Sequence, residues 1–252
     1  MTLRVDFNAD LGESFGVWER GADAELLGCI TSANVACGFH AGDPRTMSLT
    51  VEKVKDNGIA LGAHPGYPDL LGFGRRRLEA GTDEVTAYVT YQVGALLGFA
   101  TASGLRLHHV KPHGALYVVA LEDGSVAKAI ATAIARVAPS AAVYTLAGSE
   151  MWHAASSLGL RPVAEFFADR PIRGDGSYDF FEWQEKLDLT PTAVATRVVR
   201  AVEEGLVLTV DGSELTVAAE TVCLHADTPG AGSIAPVIRD ALIRSDIELA
   251  AA

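Results

Sequence analysis

Short apolar runs alternate with longer amphipathic segments along the whole chain, and this alternation restricts the possible folds more than any other feature. The runs that read as strands are Leu3–Phe7, Cys29–Val35, Ile59–Ala63, Leu105–Val110, Ala142–Leu146, Pro162–Phe166, Leu206–Val210 and Thr221–Leu224. Between them, Thr46–Asn57, Asp83–Ser103, Val126–Val137, Pro191–Glu204 and Ala235–Ser245 read as helices. Asn57-Gly58 is a helix stop signal, and Thr190-Pro191 fits an N-cap followed by proline at the first helical position. Strands alternating with helices imply a parallel sheet with helical crossovers. A closed barrel and an open doubly wound sheet both satisfy that pattern. The turn after the first run, ADLGESFG, lacks the G-x-G-x-x-G fingerprint common in open sheets. VLTVDGSELTV (Val207–Val217) carries Asp-Gly between alternating residues and predicts a β-hairpin. No linker, low-complexity stretch or repeat interrupts the chain, so residues 1–252 read as one domain.

Composition narrows the function classes. The 252 residues suit one α/β barrel, which typically takes about 250. There are 32 acidic and 20 basic residues, a formal charge of −12, and no basic stripe beyond Arg75-Arg76-Arg77, so nucleic acid is not an expected partner. Cys29, Cys37 and Cys223 form no C-x-x-C pair, which argues against a disulfide framework. No apolar run approaches the ~18 residues of a membrane span, and MTLRVDFNADLGES has no secretory apolar core. A cytoplasmic location without membrane contact is the expectation.

Chemistry-bearing residues gather just after the apolar runs. Asp6, Asn8, Asp10 and Glu13 belong to the first, Asn34, Cys37, His40 and Asp43 to the second, and His64 and Asp69 to the third. Lys111 and His113 follow the fourth, Glu165, Asp169 and Arg170 the sixth, and His225 and Asp227 the last. Parallel α/β folds build their sites at the carboxyl ends of strands. Taken singly, each residue has a bland reading. Asp10 could cap a helix, His40, His64 and His113 could stabilise loops, and Glu165 and Asp169 could merely pair with Arg170. Arg75 and Arg76, beside Gly72-Phe73-Gly74, could be a solvated edge or a fork for an anion. Pro112 stiffens the segment bearing Lys111 and His113, and a barrel strand ending there would aim both into its upper mouth. Asp and His are apt ligands for a divalent metal ion, and Asp10, His64 and His113 sit at three strand ends. No H-E-x-x-H spacing is present, so the same histidines could equally act as metal-free general bases.

Seven segments carry a resemblance. DFNADLGESFG (Asp6–Gly16), SANVACGFHAGDP (Ser32–Pro44), GAHPGYPDLLGFGRR (Gly62–Arg76), YQVGAL (Tyr91–Leu96), HVKPHGALY (His109–Tyr117), EFFADR (Glu165–Arg170) and CLHADTP (Cys223–Pro229) resemble, in order, motifs of the LamB/YcsF family. The resemblance implies a TIM-like (β/α) barrel, seven-stranded, related to glycoside-hydrolase and deacetylase barrels. It implies opening of the cyclic amide of 5-oxo-L-proline to L-glutamate, coupled to ATP hydrolysis, with partner subunits B and C of the 5-oxoprolinase. Asp10, His40, His64, Lys111, His113 and Asp169 are then the catalytic candidates. Asp6, Asn8, Glu13, Asn34, Asp43, Arg75, Arg76, Glu165, Arg170, His225 and Asp227 are the substrate-binding candidates. Asn8-Ala9-Asp10 is similar to a segment of YdjC-like deacetylases, which implies Asp10, His64 and His113 as metal ligands. A stand-alone metal-dependent amidase or deacetylase, and a non-catalytic positioning subunit, are the alternative readings. The chain departs from the family pattern at Ala9, where cysteine is usual, and at Val118, where asparagine is. It also departs at Ala226, where glycine is usual, and over Pro171–Phe181, where a Leu-x-x-Arg stretch is missing. With no G-x-x-x-x-G-K-[ST] loop, ATP handling is expected to fall largely to the partners.

Overall fold

The computed structural model describes residues 3–180 and 185–252; Phe181, in the divergent segment, lies outside the described residues. Strand β1 (Arg4–Leu11) leads through helix α1 (Asp23–Leu27) to β2 (Ser32–Ala36), and α2 (Pro44–Asp56) leads to β3 (Ala60–His64). A 3-10 turn (Leu70–Gly72) and α3 (Thr82–Ala102) precede β4 (Leu107–Val110), which is followed by α4 (Gly114–Glu122) and α5 (Gly124–Val137). Then come β5 (Ala142–Thr145), α6 (Glu150–Ser157), β6 (Pro162–Phe167) and α7 (Pro191–Glu203). A hairpin of β7 (Leu206–Leu208) and β8 (Glu214–Thr216), then β9 (Thr221–Cys223), α8 (Ala231–Arg244) and β10 (Glu248–Leu249) complete the chain.

The hydrogen-bonded strand order is β10-β1-β2-β3-β4-β5-β6-β9, and β1 also pairs with β9. Seven strands, β1 to β6 and β9, therefore close on themselves in a TIM-like (β/α) barrel, as expected from the sequence. The run Leu206–Val210 is not one of them. Its strand β7 pairs antiparallel with β8, so the Asp211-Gly212 hairpin is present and the run is no barrel strand.

Residue contacts group into two compact units. One holds Asp10–Gly21 and Ser32–Val163. Its helix α2 opens with Asp43, whose carboxylate accepts from the amides of Arg45 and Thr46, and with Pro44 at the first helical position. Met47, Val51 and Val54 form the helix's buried stripe. Helix α4, GALYVVALE, was not expected; it is apolar around its circumference, and a buried helix of that kind carries no stripe to read. Pairing is parallel and sets Asn34 opposite Gly62, and Gly62 opposite His109. The other unit comprises residues up to Ala9, Ala22–Thr31 and Ala164–Ala252. There α7 packs on α8, and β9 sits between β1 and β6, with Asp6 and Glu165 both opposite Thr221.

The first strand is longer than expected. Asn8 and Asp10 lie within β1 rather than after it, and with Asp6 they occupy alternate positions, so all three side chains point to one face.

Candidate active site

The first unit gathers four potential metal ligands. One atom each from Glu13, His40, His64 and His113 lies within 4.8 Å of all the others, and all four residues are buried. His64 stands at the end of β3 and His113 just past β4. Glycines make the space. A side-chain carbon on Gly74 would sit 2.7 Å from His40 Cβ and 2.8 Å from His113 Cδ2, at a backbone φ of +65° that already disfavours other residues. This accounts for the glycine-rich GAHPGYPDLLGFG.

Tautomers follow from the partners. His64 Nδ1 is 2.7 Å from the carbonyl oxygen of Lys111, and His113 Nε2 is 2.8 Å from that of Phe73. A carbonyl only accepts, so each of these nitrogens carries the proton. The opposite nitrogens, His64 Nε2 and His113 Nδ1, then present lone pairs to each other at 3.0 Å. Burial, with neighbouring imidazoles, holds His40 and His113 well below the ordinary histidine range, so these rings are neutral. His40 stacks on His113 with centroids 3.7 Å apart, and both of its ring nitrogens are buried without a hydrogen-bond partner. Glu13 Oε1 is 3.8 Å from both His40 Nε2 and His113 Nδ1. Nitrogens bound to one cation at about 2.0–2.1 Å stand roughly 3 Å apart, a spacing the His64–His113 pair meets, and the other donors of the group lie within 4.8 Å. Far nitrogens tied to carbonyls are also the usual support of metal-binding histidines. The expected trio shares His64 and His113 with this group. Asp10 lies alongside, its Oδ1 3.4 Å from His64 Nε2.

Asp10 Oδ1 also meets Lys111 Nζ at 3.3 Å and Asn34 Nδ2 at 2.9 Å. Lys111 and His113 are both buried, at 2% and 3% exposure. Behind Asn34 stands His109, which the sequence reading passed over; its Nε2 is 2.6 Å from Asn34 Oδ1.

Two expected residues are occupied with holding loops. Asp43 caps α2 and also takes the amide of Gly16, and these amides, with Thr46, hold its carboxyl at about 2. Arg76 is largely exposed and pairs with Asp69, which ties the loop after β3. Arg75 is half-buried, its guanidinium 5.0 Å from the centre of the Phe73 ring. Cys37 is buried, which pushes its thiol up to about 12 and makes it a poor nucleophile.

The second unit holds two further groups. Asp6 accepts from Thr31 Oγ1 at 2.5 Å and Thr221 Oγ1 at 2.6 Å, while Asn8 donates to Thr221 Oγ1 at 2.7 Å and Glu165 Oε1 at 3.3 Å. This is a buried polar network along one row of β1, β9 and β6. Asp169 accepts from His225 Nδ1 at 3.0 Å and from the His225 amide at 3.1 Å, and it pairs with Arg170 at 2.8 Å. Thr228 also donates to Asp169. Burial alone would raise the Asp169 carboxyl, but Arg170, His225 and Thr228 outweigh it and hold it far below the usual range. Arg197, unremarked in the sequence, binds the carbonyls of Phe167, Ala168 and Arg170 and so fixes the turn carrying Asp169. Asp227 is half-buried between β9 and α8.

The family model for LamB/YcsF matches residues 5–252. The chain belongs to the LamB/YcsF family. Among relatives of this LamB/YcsF protein, one from Heliobacterium modesticaldum, named as the A subunit of 5-oxoprolinase, is 45% identical over 249 residues, covering 99% of this chain and 98% of the relative. One from Bacillus subtilis with the same name is 44% identical over 249 residues, covering 99% and 97%. Among solved structures, the lactam utilization protein of Thermus thermophilus matches with a TM-score of 0.94 and 42% identity, over 99% of this chain and 100% of that one. No helix among the described residues is long and apolar enough to cross a membrane.

Proposed function

We propose that this LamB/YcsF protein acts as one catalytic domain, the hydrolytic component of an ATP-dependent 5-oxoprolinase. With partner subunits B and C it would open the cyclic amide of 5-oxo-L-proline to L-glutamate. The observation carrying this reading is the buried convergence of Glu13, His40, His64 and His113 beside the Asp10–Lys111 pair. The relatives whose names carry 5-oxoprolinase match over nearly their full length and supply the substrate.

An unstrained lactam resists water, and ATP can activate it by transferring a phosphoryl group to the amide oxygen. One water then adds to the ring carbon, and the carbon–nitrogen bond breaks with the proton passing to nitrogen. A second water releases the phosphoryl group as phosphate. Asp10 would take the proton of an attacking water, and its ion-pair partner Lys111 would hold the developing negative charge. Arg75 would assist with an anionic group. Glu13, His40, His64 and His113 would hold one divalent cation, which when bound supplies charge stabilisation and a more acidic water. In the second unit, Asp169 would fix the tautomer of His225 for a proton-transfer or binding role. The partners would carry most of the ATP handling, in a cytoplasmic complex.

The test is glutamate formation from 5-oxoproline by the chain alone and by the three subunits together, before and after chelation and metal return. Activity from the complex alone, lost on chelation and restored by one divalent metal, is the expected result. Metal analysis should find about one equivalent in the wild-type chain and little in His64→Ala or Glu13→Gln. Strong ATP-independent amidase activity of the isolated chain would favour a stand-alone hydrolase. Full activity of a complex whose histidine ligands are all replaced would favour a positioning subunit.

A further inference from the structure

His109 is fully buried on β4, and three features fit its ring into place. Tyr144 stacks on it with centroids 4.0 Å apart and planes 3° from parallel, and the Tyr144 hydroxyl is 3.3 Å from Ser32 Oγ. Gly62 lies opposite in register, where a side-chain carbon would come within 2.0 Å of His109 Nε2. Only glycine leaves the ring this position.

Its hydrogen bonds run in one direction. Asp10 Oδ1 is a carboxylate oxygen beside Lys111, so it accepts, and the Asn34 group 2.9 Å away must be the NH2. The other end of that amide, Asn34 Oδ1, is then an acceptor, and His109 Nε2 at 2.6 Å must carry the proton. Burial, with the nearby charges of His108 and Lys111, holds His109 well below the ordinary histidine range, so the ring is neutral with its proton on Nε2.

We propose that His109 is a positioning residue for the reaction, acting through the Asn34 amide to fix the Asp10 carboxylate against Lys111. This rests on the reading of Asp10 and Lys111 as part of the reaction centre. A network that merely satisfied buried polar groups could end anywhere. This one reaches the same oxygen that meets Lys111 and His64. Positioning of this kind removes the cost of reorienting a carboxylate at the moment of proton transfer.

The test uses the assembled, metal-loaded enzyme with His109→Leu, His109→Gln and Asn34→Ala, alone and combined. Loss of a supporting hydrogen bond of this type typically costs about 10–100-fold, so His109→Leu should lower kcat by that factor with KM within twofold. His109→Gln should recover most of it, because a glutamine amide nitrogen can donate where Nε2 stood. His109→Leu should cost nothing further on the Asn34→Ala background. Unchanged kcat per folded molecule in His109→Leu, or losses that multiply in the double variant, would overturn the proposal. A second readout does not need turnover. In the 15N spectrum of the isolated chain, His109 should be the Nε2-protonated tautomer, and the Asn34 side-chain amide signal should move in His109→Leu but not in His109→Gln. If the wild-type complex fails to open 5-oxoproline while these signals behave as stated, the functional reading fails and the relay stands. The opposite tautomer, or an unmoved Asn34 signal, sinks the relay itself.

Discussion

Lys111 shows how burial changes what a single residue is worth. Sequence placed it after an apolar run and before a proline, which correctly marked it as chemically interesting. Its depth was not legible, because its partner Asp10 comes from β1, 101 residues away, and nothing local encodes that meeting. At 2% exposure it is the ammonium beside a carboxylate that is 3% exposed. Removing one member of such a pair leaves an uncompensated charge, which typically costs about 3–5 kcal/mol. Lys111→Met, which keeps much of the volume, should therefore lower stability by that order and also reduce kcat at least about 100-fold. Urea unfolding and turnover per folded molecule measure the two effects separately. Loss of turnover with unchanged stability would mean that Asp10 takes up its proton when Lys111 is gone.

At the scale of elements, the long amphipathic helices and most strands were readable because period and punctuation agree. Asp43-Pro44 opens α2 and Asn57-Gly58 closes it. Helices α1, α4 and α6 were missed for different reasons. The first is only five residues long, the second has no polar face, and the third is a short eight-residue segment. The histidine cluster was half legible. His64 and His113 stood out at strand ends, but Glu13 and His40 reach them through loops whose course depends on close approaches at Gly66 and Gly74. Asp43 links element to site, since it caps α2 and holds the Gly16 amide in the loop that carries Glu13. Asp43→Ala should cost about 1–2 kcal/mol, the usual worth of a cap. For a chain of this size that is a fall in melting temperature of about 2–8 °C. Metal affinity should weaken as well, because the Glu13 loop loses its tie. Calorimetry and a metal titration check the pair, and an unmoved melting temperature would show that water replaces the cap without loss.

For the molecule as a whole, buried histidines and buried carboxylates place different marks on stability against pH. His109 is held well below its ordinary value of 6.5 by burial and nearby charge. The unfolded chain therefore binds a proton there before the folded chain does. Its contribution is complete above about pH 6.5 and is lost as pH falls toward the folded value, at up to about 1.4 kcal/mol per pH unit. Asp169 is also depressed, but from a carboxylate's starting point. Its contribution is present above the ordinary carboxylate range and is lost only as pH falls through and below it. Between pH 5 and 6.5 Asp169 is silent and His109 is not. In chelator-treated protein, where His40 and His113 add to the same window, the difference between wild type and His109→Gln isolates His109. Urea unfolding at pH 7.5 and pH 5.0 should show the wild-type advantage shrinking by up to about 2 kcal/mol on acidification. A difference that stays constant over that interval would mean that His109 takes up its proton inside the fold, and the neutral ring facing Asn34 would have to be abandoned.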